Sequence, residues 1–202
     1  VNELNGDINS LMHSIEFDSI HGKWVAEFQK KENELIINEH KIKTSFVDNI
    51  ELLNLENIDI LIDCTGENKS SIELSKYFKL GIKKVIVSAP INEPRIANIV
   101  YGVNQTIYNP SQHNIITAAS CTTNCIAPII KVLHDNIGIR HGSITTIHNI
   151  TNSQTLIDLP HRDQRRGRSA LNNLIPTTTG SAEAISLIYP ELKGKLNGHA
   201  IR

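Results

Sequence analysis

Ile58-Asp59-Ile60-Leu61-Ile62-Asp63-Cys64-Thr65-Gly66 is the stretch on which the fold turns. Its apolar run is short, rich in β-branched residues and closed by small polar ones, the pattern of a strand buried in a parallel sheet. A helical stretch from Ser70 to Leu80 follows, with Gly81 as its stop signal. Lys84-Val85-Ile86-Val87 supplies a second buried strand that ends at Ser88-Ala89-Pro90. Strand, crossover helix and strand in that order make a right-handed βαβ unit of an open parallel sheet.

Upstream, Ile8, Leu11, Met12 and Ile15 form the apolar stripe of an amphipathic helix that starts near Asp7. Strands are expected at residues 23 to 28, 34 to 37 and 41 to 46, a small antiparallel excursion. Downstream, strands are expected at residues 99 to 103 and 114 to 118, separated by the Asn109-Pro110 turn. A helix then runs from Cys121 to about Asn136 with Gly138 as its stop; Pro128 should bend it or mark its first turn. Residues 143 to 148 alternate as a strand. Residues 151 to 179 are irregular and carry Arg162, Arg165, Arg166 and Arg168; a loop of that length in a compact domain is usually functional.

Composition narrows the function classes. The 202 residues are 40% hydrophobic and 20% charged, with a formal net charge of -1, so no global field recruits nucleic acid or an anionic membrane. Any anion site must be local. No apolar run approaches the roughly 18 to 20 residues of a membrane span. Cys64, Cys121 and Cys125 are an odd count without metal-ligand spacing, which fits a reducing compartment. The chain reads as soluble and cytoplasmic, without nucleic-acid, membrane or metal partners. It opens on Val1-Asn2-Glu3 and stops at Arg202, and both ends read as cut.

The strongest chemical signal is Ser120-Cys121-Thr122-Thr123-Asn124-Cys125, placed where a strand ends and a helix begins. Free backbone N–H groups and the helix dipole at such a position favour a thiolate over a thiol, as a nucleophile requires. Cys125, one turn later, fits the blander expectation of a buried structural cysteine. Among nine histidines, His148 at the end of a strand is the candidate base, because an imidazole titrates near neutral pH and pairs readily with a thiolate.

These strings resemble the glyceraldehyde-3-phosphate dehydrogenase family. The resemblance extends through Asp18-Ser19-Ile20-His21-Gly22-Lys23, Cys64-Thr65-Gly66, Val87-Ser88-Ala89-Pro90, Thr145-Thr146-Ile147-His148, Pro176-Thr177-Thr178-Thr179-Gly180 and Pro190-Glu191-Leu192-Lys193-Gly194-Lys195-Leu196. It implies an α/β fold: a Rossmann-type dinucleotide-binding domain over residues 1–119, lacking its first strand and helix, then the start of an α+β catalytic domain with a mixed or antiparallel sheet over residues 120–202. It implies a phosphorylating, NAD-dependent oxidoreductase of glycolysis in which Cys121 attacks glyceraldehyde 3-phosphate and His148 is the base. The substrate and inorganic phosphate fall to Ser120, Thr122, Thr151, Arg166, Thr179, Gly180 and Arg202. Thr65, Gly66 and Ser88 border the nicotinamide half of NAD. Glu3, where the family more usually has Asp, takes the adenosine ribose. The arginine the family commonly carries beside the adenine has no counterpart near Val47-Asp48. A homotetramer is implied, with residues 151–179 reaching toward a neighbouring subunit.

Erythrose-4-phosphate dehydrogenase shares the cysteine and histidine, but it usually departs from the Thr179-Gly180 pair that this chain retains. An arsenate-resistance variant would use the same residues, since arsenate and phosphate are alike in charge and shape. A catalytically silent binding protein is the reading from another class; the Cys121 and His148 pair speaks against it. The Glu3 carboxylate repels a 2′-phosphate, which favours NAD over NADP. Glu3→Ala in the full-length protein should therefore raise kcat/KM with NADP relative to NAD, and an unchanged preference would remove the reason for choosing NAD.

Overall fold

The computed structural model describes residues 1–202 and divides into two compact units, Val1–Leu61 with Ser75–Lys83, and Ile62–Leu74 with Lys84–Arg202.

The first unit begins with α1 (Ile8–Glu16), whose N-cap Asp7 accepts from the N–H groups of Asn9 and Ser10, while Ser10 Oγ accepts from the Asp7 N–H. A short hairpin of β1 (Phe17–Asp18) and β2 (Gly22–Lys23) follows. Next comes an antiparallel meander of β3 (Phe28–Lys31), β4 (Glu34–Ile37) and β5 (His40–Lys43). Its strands are shifted from those expected at residues 23 to 28 and 41 to 46. The two tight turns decide this: Lys31 pairs with Glu34 and Ile37 with His40, with Glu32, Asn38 and Glu39 at positive φ. Two-residue turns of this hand fix the register and so the strand limits. Trp24 and Val25 stay exposed outside the ladder, and Ser45 pairs in parallel with Asn2 instead.

A four-stranded sheet has the order β6 (Ile60–Asp63), β7 (Lys84–Val87), β9 (Ile115–Thr117), β8 (Ala97–Asn98), with β9 parallel to both β7 and β8. Helix α2 (Ser71–Lys79) joins β6 to β7, the expected βαβ connection. The apolar run of β6 predicts a buried strand, yet Ile60 and Ile62 are exposed. It is the sheet's edge, and the face these two side chains share is covered by nothing in this chain. The strand expected over residues 99 to 103 is a turn instead. Asn104 accepts from the Val100 N–H and donates to the Asn98 carbonyl, so its side chain takes ladder groups that a strand would need.

Beyond the sheet, α3 (Cys121–Ile137) runs through Pro128 and ends at Gly138, φ 73. A three-stranded mixed sheet follows: β12 (Leu196–Ile201) is parallel to β10 (Gly142–Ile147) and antiparallel to β11 (Pro176–Thr177). Val100, Ala119, Ala127 and Ile130 form one core with Ile185 of α4 (Ser181–Ile188) and with Leu192. Fully burying Ile185 or Leu192 contributes roughly 1.5 to 3 kcal/mol each. The β10 and β12 ladder extends past both strands: the His148 N–H donates to the Ile201 carbonyl, and Arg202 exchanges backbone hydrogen bonds with Ile175. Parallel pairing thus carries His148 and Arg202 to the same end of this sheet. No helix is long and apolar enough to cross a membrane.

Candidate active site

Three strands of the parallel sheet deliver polar loops from their carboxyl ends, where open α/β sheets bind ligands. After β9 the chain turns through Ala119 at φ 55, a left-handed conformation that costs a non-glycine residue roughly 1 to 2 kcal/mol. Ala119 is buried in the α3 core, and its N–H donates to Thr117 Oγ1 at 3.1 Å, so packing offsets the strain. The turn makes Ser120 the N-cap of α3, its Oγ accepting from the Thr123 N–H at 3.1 Å, and sets Cys121 in the first turn.

Cys121 is exposed, and its Sγ lies 3.6 Å from His148 Nε2. The His148 hydrogen bond, followed by Thr122, holds the Cys121 thiol below its ordinary range against an opposing effect of burial. Thr122 Oγ1 is 4.0 Å from the same sulfur. Cys125 is also exposed, which overturns the expectation of a buried thiol: Thr123, Ala127 and Ile130 form the inward face of α3, and position 125 shares the open face of position 121.

On its other side, His148 Nδ1 meets the Asn149 carbonyl oxygen at 2.6 Å and Arg202 Nη1 at 3.1 Å. A carbonyl only accepts and a guanidinium only donates, so Nδ1 can satisfy one of them. The shorter contact belongs to the carbonyl, and Arg202 Nη1 has other acceptors in the Asn149 oxygen at 3.3 Å and Thr151 Oγ1 at 3.2 Å. Nδ1 therefore carries the proton of the neutral ring, and Nε2 is left to take the proton of the cysteine, after which its N–H donates to the thiolate and favours it.

Thr151 Oγ1 also meets Ser153 Oγ at 3.0 Å and Gln154 Oε1 at 3.2 Å. Arg166 Nη1 donates to Ser153 Oγ at 3.2 Å and its Nε lies 3.7 Å from Asp163 Oδ2, while Arg165 also pairs with Asp163 and Arg168 with Asp158. Gly167 is buried where an added Cβ would meet the Leu159 carbonyl oxygen at 2.5 Å, so the arginine segment closes tightly on itself. Cys121, Thr122, His148, Thr151, Arg166 and Arg202 are thus linked through direct or single-residue contacts. Ser120 Oγ serves the helix cap as an acceptor and meets Thr123 Oγ1 at 2.7 Å. Thr179 Oγ1 bonds Ser181 Oγ at 2.5 Å, and Gly180 caps α4.

Thr65, Gly66, Ser88 and Glu3 each have local surroundings of their own. Thr65 donates its N–H and hydroxyl to Asp63 Oδ1, and Gly66 adopts φ 71 with nothing within 4 Å of the place a Cβ would take. Ser88, exposed at the end of β7, donates its N–H to the Asp63 carbonyl. Glu3, in the first unit, accepts from the Asn5 N–H at 2.9 Å. Residue-type reasoning passes over Asn149, Ser153 and Gln154. The last is detectable, since Thr151-Asn152-Ser153-Gln154 has the T-x-x-Q spacing of a capping box; a backbone carbonyl such as that of Asn149 has no sequence signature.

A family model described as glyceraldehyde 3-phosphate dehydrogenase, C-terminal domain, matches residues 120–202, and one described as the NAD binding domain of the same enzyme matches residues 1–71. The chain is 48% identical to glyceraldehyde-3-phosphate dehydrogenase 3 of Nostoc sp.. It is 47% identical to glyceraldehyde-3-phosphate dehydrogenase 1 of Bacillus subtilis and to the enzyme of Geobacillus stearothermophilus. Each match covers 100% of this chain and 60% of the relative, so the chain spans less than two thirds of the length of these proteins.

The lowered Cys121 thiol has a direct readout in alkylation by iodoacetamide. The rate should follow a titration whose midpoint lies below the ordinary thiol value of about 8.5, because the reactive thiolate survives to lower pH. In His148→Asn the midpoint should rise toward that value and the rate at neutral pH should fall several-fold. Equal midpoints in the two proteins would show that the 3.6 Å contact does not tune the sulfur.

Proposed function

This chain belongs to the glyceraldehyde 3-phosphate dehydrogenase family, and from that premise we propose that it carries the acyl-transfer centre of an NAD-dependent enzyme that oxidises glyceraldehyde 3-phosphate and phosphorylates the product. The observation that carries this reading is the 3.6 Å approach of Cys121 Sγ to His148 Nε2.

The thiol gives its proton to Nε2, and the thiolate attacks the aldehyde carbon. The resulting oxyanion takes that proton back, leaving a hemithioacetal on Cys121 and a free lone pair on Nε2. His148 then removes the hydroxyl proton as the carbon loses hydride, and the C=O bond reforms as a thioester. Bound NAD supplies the hydride acceptor for this step. An oxygen of inorganic phosphate adds to the thioester carbon; collapse expels the Cys121 thiolate and leaves 1,3-bisphosphoglycerate, with one proton released per turnover. Through the cycle the Asn149 carbonyl accepts from Nδ1–H in both the neutral and the charged ring.

Both phosphates are anions, and the guanidinium groups of Arg202 and Arg166 with the hydroxyls of Thr122 and Thr179 are donors of the kind phosphate oxygens require, with Thr151 in the same proposed set as the acceptor that holds Arg202. The Ser120 hydroxyl and the Gly180 N–H complete the proposed set. Arg202 supports this assignment further, because its Nε is buried without a partner in the chain.

For NAD, the open space over Gly66 suits a flat ring lying on the backbone, and the Thr65 and Ser88 hydroxyls are suitable donors beside it. The Glu3 carboxylate suits ribose hydroxyls. We read the complete protein as a cytoplasmic homotetramer. The exposed Ile157, Leu159, Leu171 and Leu174 of the 151–179 segment are apolar surface of the sort that subunit contacts cover.

In the full-length protein supplied with NAD, phosphate and glyceraldehyde 3-phosphate, Cys121→Ser should lose roughly a thousandfold or more of kcat. His148→Asn should lose about 10² to 10⁴ in kcat with a much smaller change in the KM for NAD. Turnover by Cys121→Ser at the wild-type rate would refute the covalent route.

A further inference from the structure

Gln154 is only 7% exposed, and a buried amide is costly unless both of its ends are bonded. Its Oε1 accepts from the Thr151 N–H at 2.9 Å and from Thr151 Oγ1 at 3.2 Å. Its Nε2 donates to Ser153 Oγ at 2.5 Å. The Gln154 N–H also donates to the Thr151 carbonyl, so the four residues close as a tight turn braced by one half of a capping box, the Gln154 side chain on the Thr151 N–H.

These contacts fix the direction of every hydroxyl proton in the cluster. Thr151 must donate to Gln154 Oε1, which can only accept. The Ser153 proton then has Thr151 Oγ1 as its partner at 3.0 Å. The lone pairs of Thr151 Oγ1 are filled by Ser153 and by Arg202 Nη1, and those of Ser153 Oγ by Gln154 Nε2 and by Arg166 Nη1. One planar amide therefore anchors the partners of two guanidinium groups, and neither hydroxyl can turn away from its arginine without breaking a bond to Gln154.

We infer that Gln154 is the positioning residue of the oxyanion site, setting Arg202 through Thr151 and Arg166 through Ser153 for the phosphate-bearing substrate and for inorganic phosphate. This rests on the phosphate reading above and adds to it a residue that touches neither substrate nor reacting atoms. Gln154→Met keeps the length and removes all three side-chain bonds. Gln154→Glu keeps the acceptor for Thr151, and so the turn, but cannot donate to Ser153 and adds a negative charge.

Two readouts in the full-length protein test this. The first needs no turnover: the concentration of inorganic phosphate that half-protects Cys121 from iodoacetamide should rise about fivefold to tenfold in both variants, the loss of roughly one net hydrogen bond. The second is kinetic: KM for phosphate and for glyceraldehyde 3-phosphate should rise by similar factors, with KM for NAD within about twofold of wild type. If Gln154→Met does not fold, Gln154→Glu carries the test alone. Unchanged half-protection in the folded variants would overturn the inference, as would a rise in KM for NAD equal to that for phosphate, the mark of a merely structural role. Wild-type protein that phosphate protects but that does not turn over would sink the proposed reaction and leave Gln154 in its role, provided the variants weaken protection. No protection of the wild type by phosphate would overturn both.

Discussion

The site depends on which nitrogen of His148 holds the proton. With Nδ1–H given to the Asn149 carbonyl at 2.6 Å, Nε2 can accept from Cys121; with the other tautomer, the 3.6 Å contact would set an N–H against an S–H and the thiol could not be deprotonated there. A backbone carbonyl is well suited to this duty. It cannot donate, cannot titrate, and is fixed by the same strand end that fixes the ring, so it serves the neutral and the protonated imidazole alike.

That constraint explains why two sheets are needed around one sulfur. The parallel sheet brings β9 to a turn where Ala119 is held at φ 55, and the turn places Cys121 on the first turn of α3 under the Ser120 cap. The mixed sheet brings β10 and β12 into parallel register, so that His148 and Arg202 leave it side by side. The histidine comes from one ladder and the cysteine from the other. The core of α3, α4 and Leu192 holds the helix that carries the cysteine, and the conformational cost at Ala119 is met by that packing rather than by glycine.

Much of this is legible in the residues. The βαβ unit follows from apolar runs and stop signals, and the end of α3 from Gly138, whereas the Ser120 cap that starts it is seen only in the structure. The pairing of Cys121 with His148 comes from matched strings, not from periodicity. What is not legible depends on partners distant in sequence. Strand limits at residues 28 and 40 are set by two-residue turns with positive φ at Glu32, Asn38 and Glu39, a conformation that Glu rarely signals. The exposure of Ile60, Ile62 and Cys125 reflects which faces are covered, and apolar content alone cannot say. The turn at residues 100 to 104 is decided by one asparagine side chain competing with a strand ladder.

The tautomer of His148 is open to direct observation. In protein labelled with ¹⁵N histidine and carrying Cys121→Ser, two-bond correlation spectra of the neutral ring should report a protonated Nδ1 and a bare Nε2. A neutral ring protonated at Nε2, with Nδ1 bare toward Asn149, would contradict the account, because the sulfur would then have no base.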